Sequence, residues 1–465
     1  MRISSSRRSR FLLVFSALFL GGAIVSASDS LEGILDQKAA ATVQAFAVPS
    51  ASVAVVRDGK VFWAKAYGDA SLEQHRKAEP DTRYAVGSIS KQFTTAALLL
   101  EQESGKLSLD DKVSKYFPEF TRASEITIRE LLSHTSGYED YAPQDYLIPS
   151  WIQPTTPQAI LNHWAKKPLN FEPGTQWQYS NTNYVLAGEI LEKVSGEKLL
   201  PFLNEHFFQA LGMTSAGDCE VHSTADAAAY TRYALGPARP IGREGAGWYF
   251  AAGELCMTAS DLAKWDIAFL AKRILSPASY AEFTRKATLK NGHVTQYALG
   301  LGIGESNGTA SISHSGEVSG FLASNAVFPA KNSAIVVFSN EDGVNLVGNL
   351  TQQLAGVLLN PPTSHTEHWE AQIRSILLGL QHGQIDRALF TENANSYFNE
   401  QAISDYQTSL EKLGALQVLI RQGDQHRGGM THLTYRAHFQ SNSVMLNIYI
   451  QPDGRFEQFM VEEVF

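Results

Sequence analysis

Ser88-Ile89-Ser90-Lys91-Gln92-Phe93-Thr94-Thr95-Ala96-Ala97-Leu98-Leu99-Leu100 places a hydroxyl and an amine three residues apart at the start of an apolar helical run. On a helix, positions i and i+3 share a face, so the Ser88 hydroxyl and the Lys91 amine can meet. Phe93, Ala96, Ala97, Leu99 and Leu100 follow at a spacing that buries the helix against a core. Both polar groups are then fixed at the N-terminal end, where anionic intermediates are favoured. A serine hydroxyl is a weak nucleophile until a neighbouring base takes its proton, and a lysine is such a base only where its surroundings depress its pKa from about 10.4. The tetrapeptide is common, so its meaning depends on the rest of the chain.

Upstream, Leu31, Ile34, Leu35, Ala39, Val43 and Phe46 give a helical pattern from Ser30 to about Ala45. Ser52 to Val56 and Val61 to Tyr67 read as strands joined at Asp58-Gly59, a hairpin dipeptide. Downstream, roughly residues 92 to 290 are helical and loop-rich. Within them Ile126 to Gly137 reads as a capped helix ending at glycine, with His134 hydrogen-bonded inside a tight loop. The turn Phe171-Glu172-Pro173-Gly174 delivers Tyr179-Ser180-Asn181, and helical spacing resumes from Tyr184 to Val194. The helix through Leu262, Trp265 and Phe269 reads as structural. Strands return near Tyr297 to Ile303, Ser311 to His314, Phe321 to Phe328 and Ser333 to Ser339. A single sheet made from both ends of this region, with the helical middle on one side, is the natural assembly.

Pro361-Pro362-Thr363-Ser364 reads as a linker. Beyond it Glu367 to about Leu413 is helical, and four strand-like runs follow, with Val444, Leu446, Ile448 and Ile450 alternating as a one-sided sheet requires. The chain is therefore α+β throughout, with a main domain over residues 28–360 and a linker plus small α+β accessory domain over 361–465. The accessory domain resembles, in element order alone, the cone-shaped domains of the nuclear-transport-factor-2-like superfamily.

Met1 to about Ala27 carries Arg2, Arg7, Arg8 and Arg10 ahead of the apolar run Phe11 to Val25, and closes on the small residues Ser26 and Ala27. This is the pattern of a cleaved secretory signal over residues 1–27. The run falls short of the roughly 20 residues a spanning helix needs, and Gly21-Gly22 interrupts it. The expectation is a periplasmic or secreted protein with no stable membrane span. Cleavage removes four arginines and no acid from 38 basic and 47 acidic residues, leaving a net charge of −13. Such a surface argues against nucleic acid as a partner. Cys219 and Cys256 can pair in an oxidising compartment, but two buried free thiols are the favoured reading. No C-x-x-C spacing or nearby Cys-His cluster suggests metal, and no cofactor is expected.

Three separated stretches, Ser88-Ile89-Ser90-Lys91, Tyr179-Ser180-Asn181 and His314-Ser315-Gly316, now form a set. In this order they resemble the serine beta-lactamase and penicillin-binding superfamily, whose signatures are S-x-x-K, then S-D-N or Y-x-N, then K-T-G. The tyrosine version is similar to class C beta-lactamases, D-alanyl-D-alanine peptidases, D-aminopeptidases and related esterases. The resemblance covers roughly residues 30 to 358 and implies a beta-lactamase/transpeptidase-like antiparallel sheet flanked by helices. It implies that Ser88 attacks a carbonyl carbon and that Lys91 with Tyr179 moves the proton to the leaving group. Asn181 would orient Lys91 and the substrate amide, and the backbone N–H groups of Ser88 and Glu317 would form the oxyanion hole. Which of Lys91 and Tyr179 is the base stays open at this point. Alone, Tyr179 reads as a half-buried aromatic and Asn181 as a helix N-cap.

His314 departs from the family's lysine. That lysine is a fixed positive charge suited to a carboxylate, whereas a histidine near neutral pH is mostly uncharged. Glu317 adds negative charge at the rim. An ester or a small peptide, such as one ending in or containing a D-amino acid, is therefore expected over penicillins. A class C-type beta-lactamase, a D-alanyl-D-alanine carboxypeptidase and a non-catalytic penicillin- or peptide-binding sensor are the alternatives. One competing motif, Gly304-Glu305-Ser306-Asn307-Gly308, matches a nucleophile elbow but is followed by a strand-like run, so it reads as a hairpin turn. Glu341-Asp342 and the His365/His368 pair read as solvated surface.

Overall fold

The computed structural model describes residues 30–144, 146–221, 223–234, 236–359, 364–427 and 429–463. The expected signal segment, Pro361 to Thr363 of the expected linker, and the side chains of His365 and His368 lie outside the described residues.

The first helix, α1 (Leu31–Phe46), starts at Ser30, whose hydroxyl accepts the Gly33 N–H at 3.1 Å. Strands β1 (Ser50–Arg57) and β2 (Lys60–Ser71) follow as a hairpin, then a two-residue edge strand, β3 (Arg76–Lys77). Late in the region come β4 (Gly302–Ser306), β5 (Thr309–Val318), β6 (Phe321–Phe328) and β7 (Ser333–Ser339). They assemble into one antiparallel sheet in the order β3-β2-β1-β7-β6-β5-β4. The two ends of the region thus meet at the β1–β7 pair in its centre, as the sequence pattern predicts.

Alternation along the central strands builds two cores. Ala51, Val53 and Val55 of β1 and Ile335 and Val337 of β7 pack against α1 and α5 (Leu346–Leu359). Ala54, Val56, Ala334, Val336 and Phe338 point the other way, into a larger core shared with α2 (Ser90–Glu103), α3 (Asn181–Ser195) and α4 (Ala259–Leu270). Both faces of the centre are covered, so these strands are apolar on both sides.

Several expectations need correction. The strand expected from Tyr297 to Ile303 begins only at Gly302, because Gly300 has φ +73° and a Cβ there would sit 2.8 Å from the Tyr184 hydroxyl. The strand expected from Ser311 to His314 runs on to Val318. The free-thiol reading of Cys219 and Cys256 is also replaced. Gly217–Asp218 pairs with Leu255–Met257, bringing the two cysteine Cα atoms to 4.9 Å, and they form a disulfide. Asn307 and Gly308 form a hairpin turn between β4 and β5.

The C-terminal part is a separate sheet domain with its own core. Its helical stretch is not continuous: α6 (Ser364–Gln381) ends before Gly383, at φ +68°, and α7 (Glu392–Tyr397) and α8 (Glu400–Glu411) follow. Strands Leu416–Arg427, Met430–Phe439, Ser443–Ile450 and Phe456–Glu463 pair in sequential order. Val444, Leu446, Ile448 and Ile450 are buried on one face with Ile373, Leu377 and Leu410.

Candidate active site

Ser88 lies on a tight turn, Gly87–Ile89, that feeds directly into α2, and Lys91 lies in the first turn of that helix. The Lys91 side chain is fully buried. Its Nζ is 2.8 Å from each of three oxygens: Ser88 Oγ, Asn181 Oδ1 and the Ala252 carbonyl. It also sits 5.0 Å from the centre of the Tyr179 ring. Burial pushes the Lys91 ammonium down to about 7, with Asp140 pulling the other way. The Tyr179 hydroxyl hydrogen-bonds the Ser88 side chain, and burial pushes that hydroxyl well up. The S-x-x-K geometry therefore brings together a hydroxyl, an amine that is half neutral near pH 7, and a phenol that keeps its proton.

The β5 strand passes close to this turn. A Cβ on Gly316 would lie 1.9 Å from the Val86 carbonyl and 3.2 Å from the Ser88 nitrogen. Gly87 has φ +50°, and a Cβ there would lie 2.8 Å from the Glu317 nitrogen. Two glycines thus let the amides of residues 88 and 317 approach one another, the arrangement an oxyanion hole requires.

His314 stands on β5 with both ring nitrogens engaged. Nδ1 is 2.5 Å from the Ser315 carbonyl and must donate, so Nε2 accepts the Tyr297 hydroxyl at 2.8 Å. Burial, and then the Lys91 charge, push the imidazole down to about 4. The ring is neutral at physiological pH.

Ser88, Tyr179, Asn181, His314, Ser315 and Glu317 open into a cavity of about 630 Å³. Tyr141, Trp151, Trp177, Trp248 and Tyr249 line it with aromatic surface, and Asp140, Glu244, Glu317 and Asp342 supply carboxylates. Among its described lining residues none is lysine or arginine. The disulfide ties off the base of the excursion that carries Glu244, Trp248, Tyr249 and Ala252.

Sequence reasoning missed Asp140. Its carboxylate accepts the Asn181 backbone N–H at 2.9 Å and the Asn181 side-chain amide at 3.3 Å, and so aims the Asn181 oxygen at Lys91. Burial pushes the carboxyl up, while the Ala142 and Asn181 N–H groups and Lys91 oppose this. Of the adjacent pair Glu139-Asp140 only the second turns inward, and no spacing rule marks it. The aromatic wall likewise comes from scattered loops.

The family model described as Beta-lactamase matches residues 35–357. The chain belongs to the beta-lactamase family. Beta-lactamase-family relatives include a putative penicillin-binding protein of Bacillus subtilis, 27% identical over 321 residues, covering 66% of this chain and 75% of the relative. A D-aminopeptidase of Brucella anthropi is 29% identical over 325 residues, covering 68% of this chain and 60% of the relative's own length. Among solved structures, a D-stereospecific amidohydrolase from Streptomyces superposes with TM-score 0.61 at 25% identity, covering 71% of this chain and 99% of that one. An octameric penicillin-binding protein homologue from Pyrococcus abyssi superposes with TM-score 0.62 at 21% identity, over 93% of this chain and 98% of that one, which extends the shared fold into the C-terminal domain. This beta-lactamase-family protein is a serine hydrolase.

Proposed function

We propose that the protein is an exported hydrolase that opens the amide or ester bond of a small, D-amino acid-containing substrate through an acyl-enzyme on Ser88. The observation that carries this reading is the 2.8 Å contact between Ser88 Oγ and a buried Lys91 Nζ whose pKa lies near 7. Neutral Lys91 takes the Ser88 proton as Oγ attacks the carbonyl carbon. The amides of Ser88 and Glu317 hold the oxyanion, and Asn181 orients Lys91 and the substrate amide. Because burial disfavours its phenolate, Tyr179 acts as the donor that passes a proton to the departing nitrogen or oxygen and recovers one from Lys91. Water then attacks the acyl-enzyme along the reverse path, releasing the acid and restoring Ser88.

Substrate charge follows from the cavity. A carboxylate placed there meets a neutral His314 and four acidic side chains, and no described lysine or arginine lines the walls. Penicillins, which carry such a carboxylate, fit poorly, and a substrate bearing an amine fits better. The D-aminopeptidase and the D-stereospecific amidohydrolase among its relatives support a D-amino acid on the acyl side. A pure sensor needs no proton shuttle, so the buried amine and phenol count against that alternative. We also assign residues 1–27 to an export signal and residues 361–465 to a linker and a non-catalytic accessory domain, like nuclear-transport-factor-2-like domains in element order.

Initial rates on D-alanine p-nitroanilide, its L enantiomer, p-nitrophenyl butyrate and benzylpenicillin test the reading. The D amide is expected to exceed the L amide by about 10-fold or more in kcat/KM, with benzylpenicillin the slowest. Equal or better turnover of benzylpenicillin would overturn it.

A further inference from the structure

We propose that His134 is the positioning residue for Tyr179, holding the Tyr179-Ser180-Asn181 turn in register with Ser88. The proposal rests on the acyl-enzyme reading above. His134 follows the short helix Ile128–Leu132 and grips three consecutive residues of the turn. Its carbonyl accepts the Gln178 N–H at 3.0 Å, and its Nδ1 accepts the Ser180 N–H at 3.1 Å. Between these two bonds its ring lies 4.2 Å from the Tyr179 ring, centre to centre, tilted by 35°. One residue therefore fixes the backbone on both sides of the tyrosine and the plane of the tyrosine itself.

Asp140 and Lys91 hold the Asn181 end of the turn, and the Tyr179-Ser180 end rests on His134. Tyr179 precedes α3, Ser180 at the helix boundary makes no side-chain cap bond, and the Ser180 hydroxyl is buried without a hydrogen-bond partner among the described residues. The Asn183 amide adds a longer contact to His134 Nδ1, at 3.4 Å.

His134 meets two costs to be there. Its backbone is left-handed, at φ +59°, a conformation asparagine adopts more readily than most side chains. Because Nδ1 accepts, the neutral ring carries its proton on Nε2, and that buried N–H has no hydrogen-bond partner among the described residues. It sits among the rings of Tyr179, Tyr184, Tyr297 and Trp177. A residue needed only to close the loop gains nothing from that unpaired N–H. A flat ring that both accepts from Ser180 and backs Tyr179 is what histidine adds over asparagine.

The test separates those two contributions. H134F keeps a ring behind Tyr179 but removes the acceptor; H134N keeps an acceptor and tolerates the left-handed backbone but removes the ring. Each purified variant is checked by circular dichroism and thermal melting, its active sites are titrated with a fluorophosphonate, and kcat and KM on p-nitrophenyl butyrate are measured per titrated site. Since a misplacement of about 1 Å costs roughly 100-fold, kcat is expected to fall about 100-fold in H134F and about 10-fold in H134N, with KM within about 3-fold in both. A kcat per titrated site within about 3-fold of wild type in either folded variant would overturn the proposal, as would failure of both variants to fold, which would assign His134 to stability. Ser88→Ala runs alongside: turnover surviving in that variant breaks the acyl-enzyme reading, whereas its loss with normal His134 variants breaks only the positioning role.

Discussion

Lys91 and Gln92 are neighbours on one helix, both buried, and they head two polar networks of opposite design. Lys91 reaches toward the cavity and holds Ser88, Asn181 and Ala252. Gln92 turns into the core, where its amide donates to Asn325 Oδ1 at 3.3 Å and its oxygen accepts the Trp265 N–H at 2.8 Å. Asn325 in turn donates to Asp266 Oδ2 at 2.7 Å, and burial pushes the Asp266 carboxyl well up against the pull of that hydrogen bond. Both networks bury ionisable groups and displace their pKa values. Only one has an open side on which a substrate can meet the displaced proton. A perturbed pKa marks a reactive site when it borders a cavity; sealed in the core, the same perturbation pins α2 to β6 and α4.

That contrast breaks most sharply at Lys91. K91M removes the proposed base from the cavity-facing network, and kcat is expected to fall by about 10,000-fold or more in a steady-state ester assay, the scale of losing a member of a catalytic set. Gly316→Ala attacks the same site from the strand side. Its Cβ would displace the Val86 carbonyl and the Ser88 amide, and the loss expected is about 100-fold to 1000-fold in kcat, read with the same assay.

The pH profile sharpens the comparison. With Lys91 at about 7, kcat/KM is expected to fall about tenfold for each pH unit below that value as the amine protonates. Stability carries the matching signature. The folded pKa of Lys91 is depressed from 10.5, so between about 7 and 10.5 the unfolded chain binds the extra proton. Wild type should therefore gain stability relative to K91M as pH rises through that window, with its largest deficit below it. Urea titrations at pH 6, 8 and 10 check the sign.

The smallest effect on rate belongs to the sealed network. Asp266→Ala leaves the Asn325 amide buried without its partner and is expected to cost about 1–3 kcal/mol in urea unfolding. Its kcat is expected to stay within about 3-fold of wild type. A large kcat loss in a folded D266A protein would merge the two networks and refute the distinction.

The parts of this molecule that were legible in sequence are those in which the deciding chemistry is local. Ser88 and Lys91 share one helical turn, Tyr179 and Asn181 lie two residues apart, and His314 sits three residues before Glu317 on a single strand. Phe321 to Phe328 and Ser333 to Ser339 were readable to the residue because apolar runs end where the hairpin turns. What escaped is assembled at a distance. Asp140 matters only because its loop folds back on Asn181, and the grip of His134 on Tyr179 spans 45 positions with no periodic signal. The cysteine pair points to free thiols in sequence because its partners come together through two short strands that composition does not announce. The strand expected from Tyr297 to Ile303 fails ahead of Gly302, where Gly300 takes a left-handed backbone and the Tyr297 hydroxyl holds His314.

Everything in this account depends on Ser88 becoming acylated. The most direct measurement is intact-protein mass spectrometry of acid-quenched reactions with p-nitrophenyl butyrate and with benzylpenicillin, for wild type and Ser88→Ala. The account predicts a butyryl adduct that maps to the peptide carrying Ser88, disappears in Ser88→Ala together with p-nitrophenol release, and has little penicilloyl counterpart. An adduct or undiminished turnover in Ser88→Ala would contradict it.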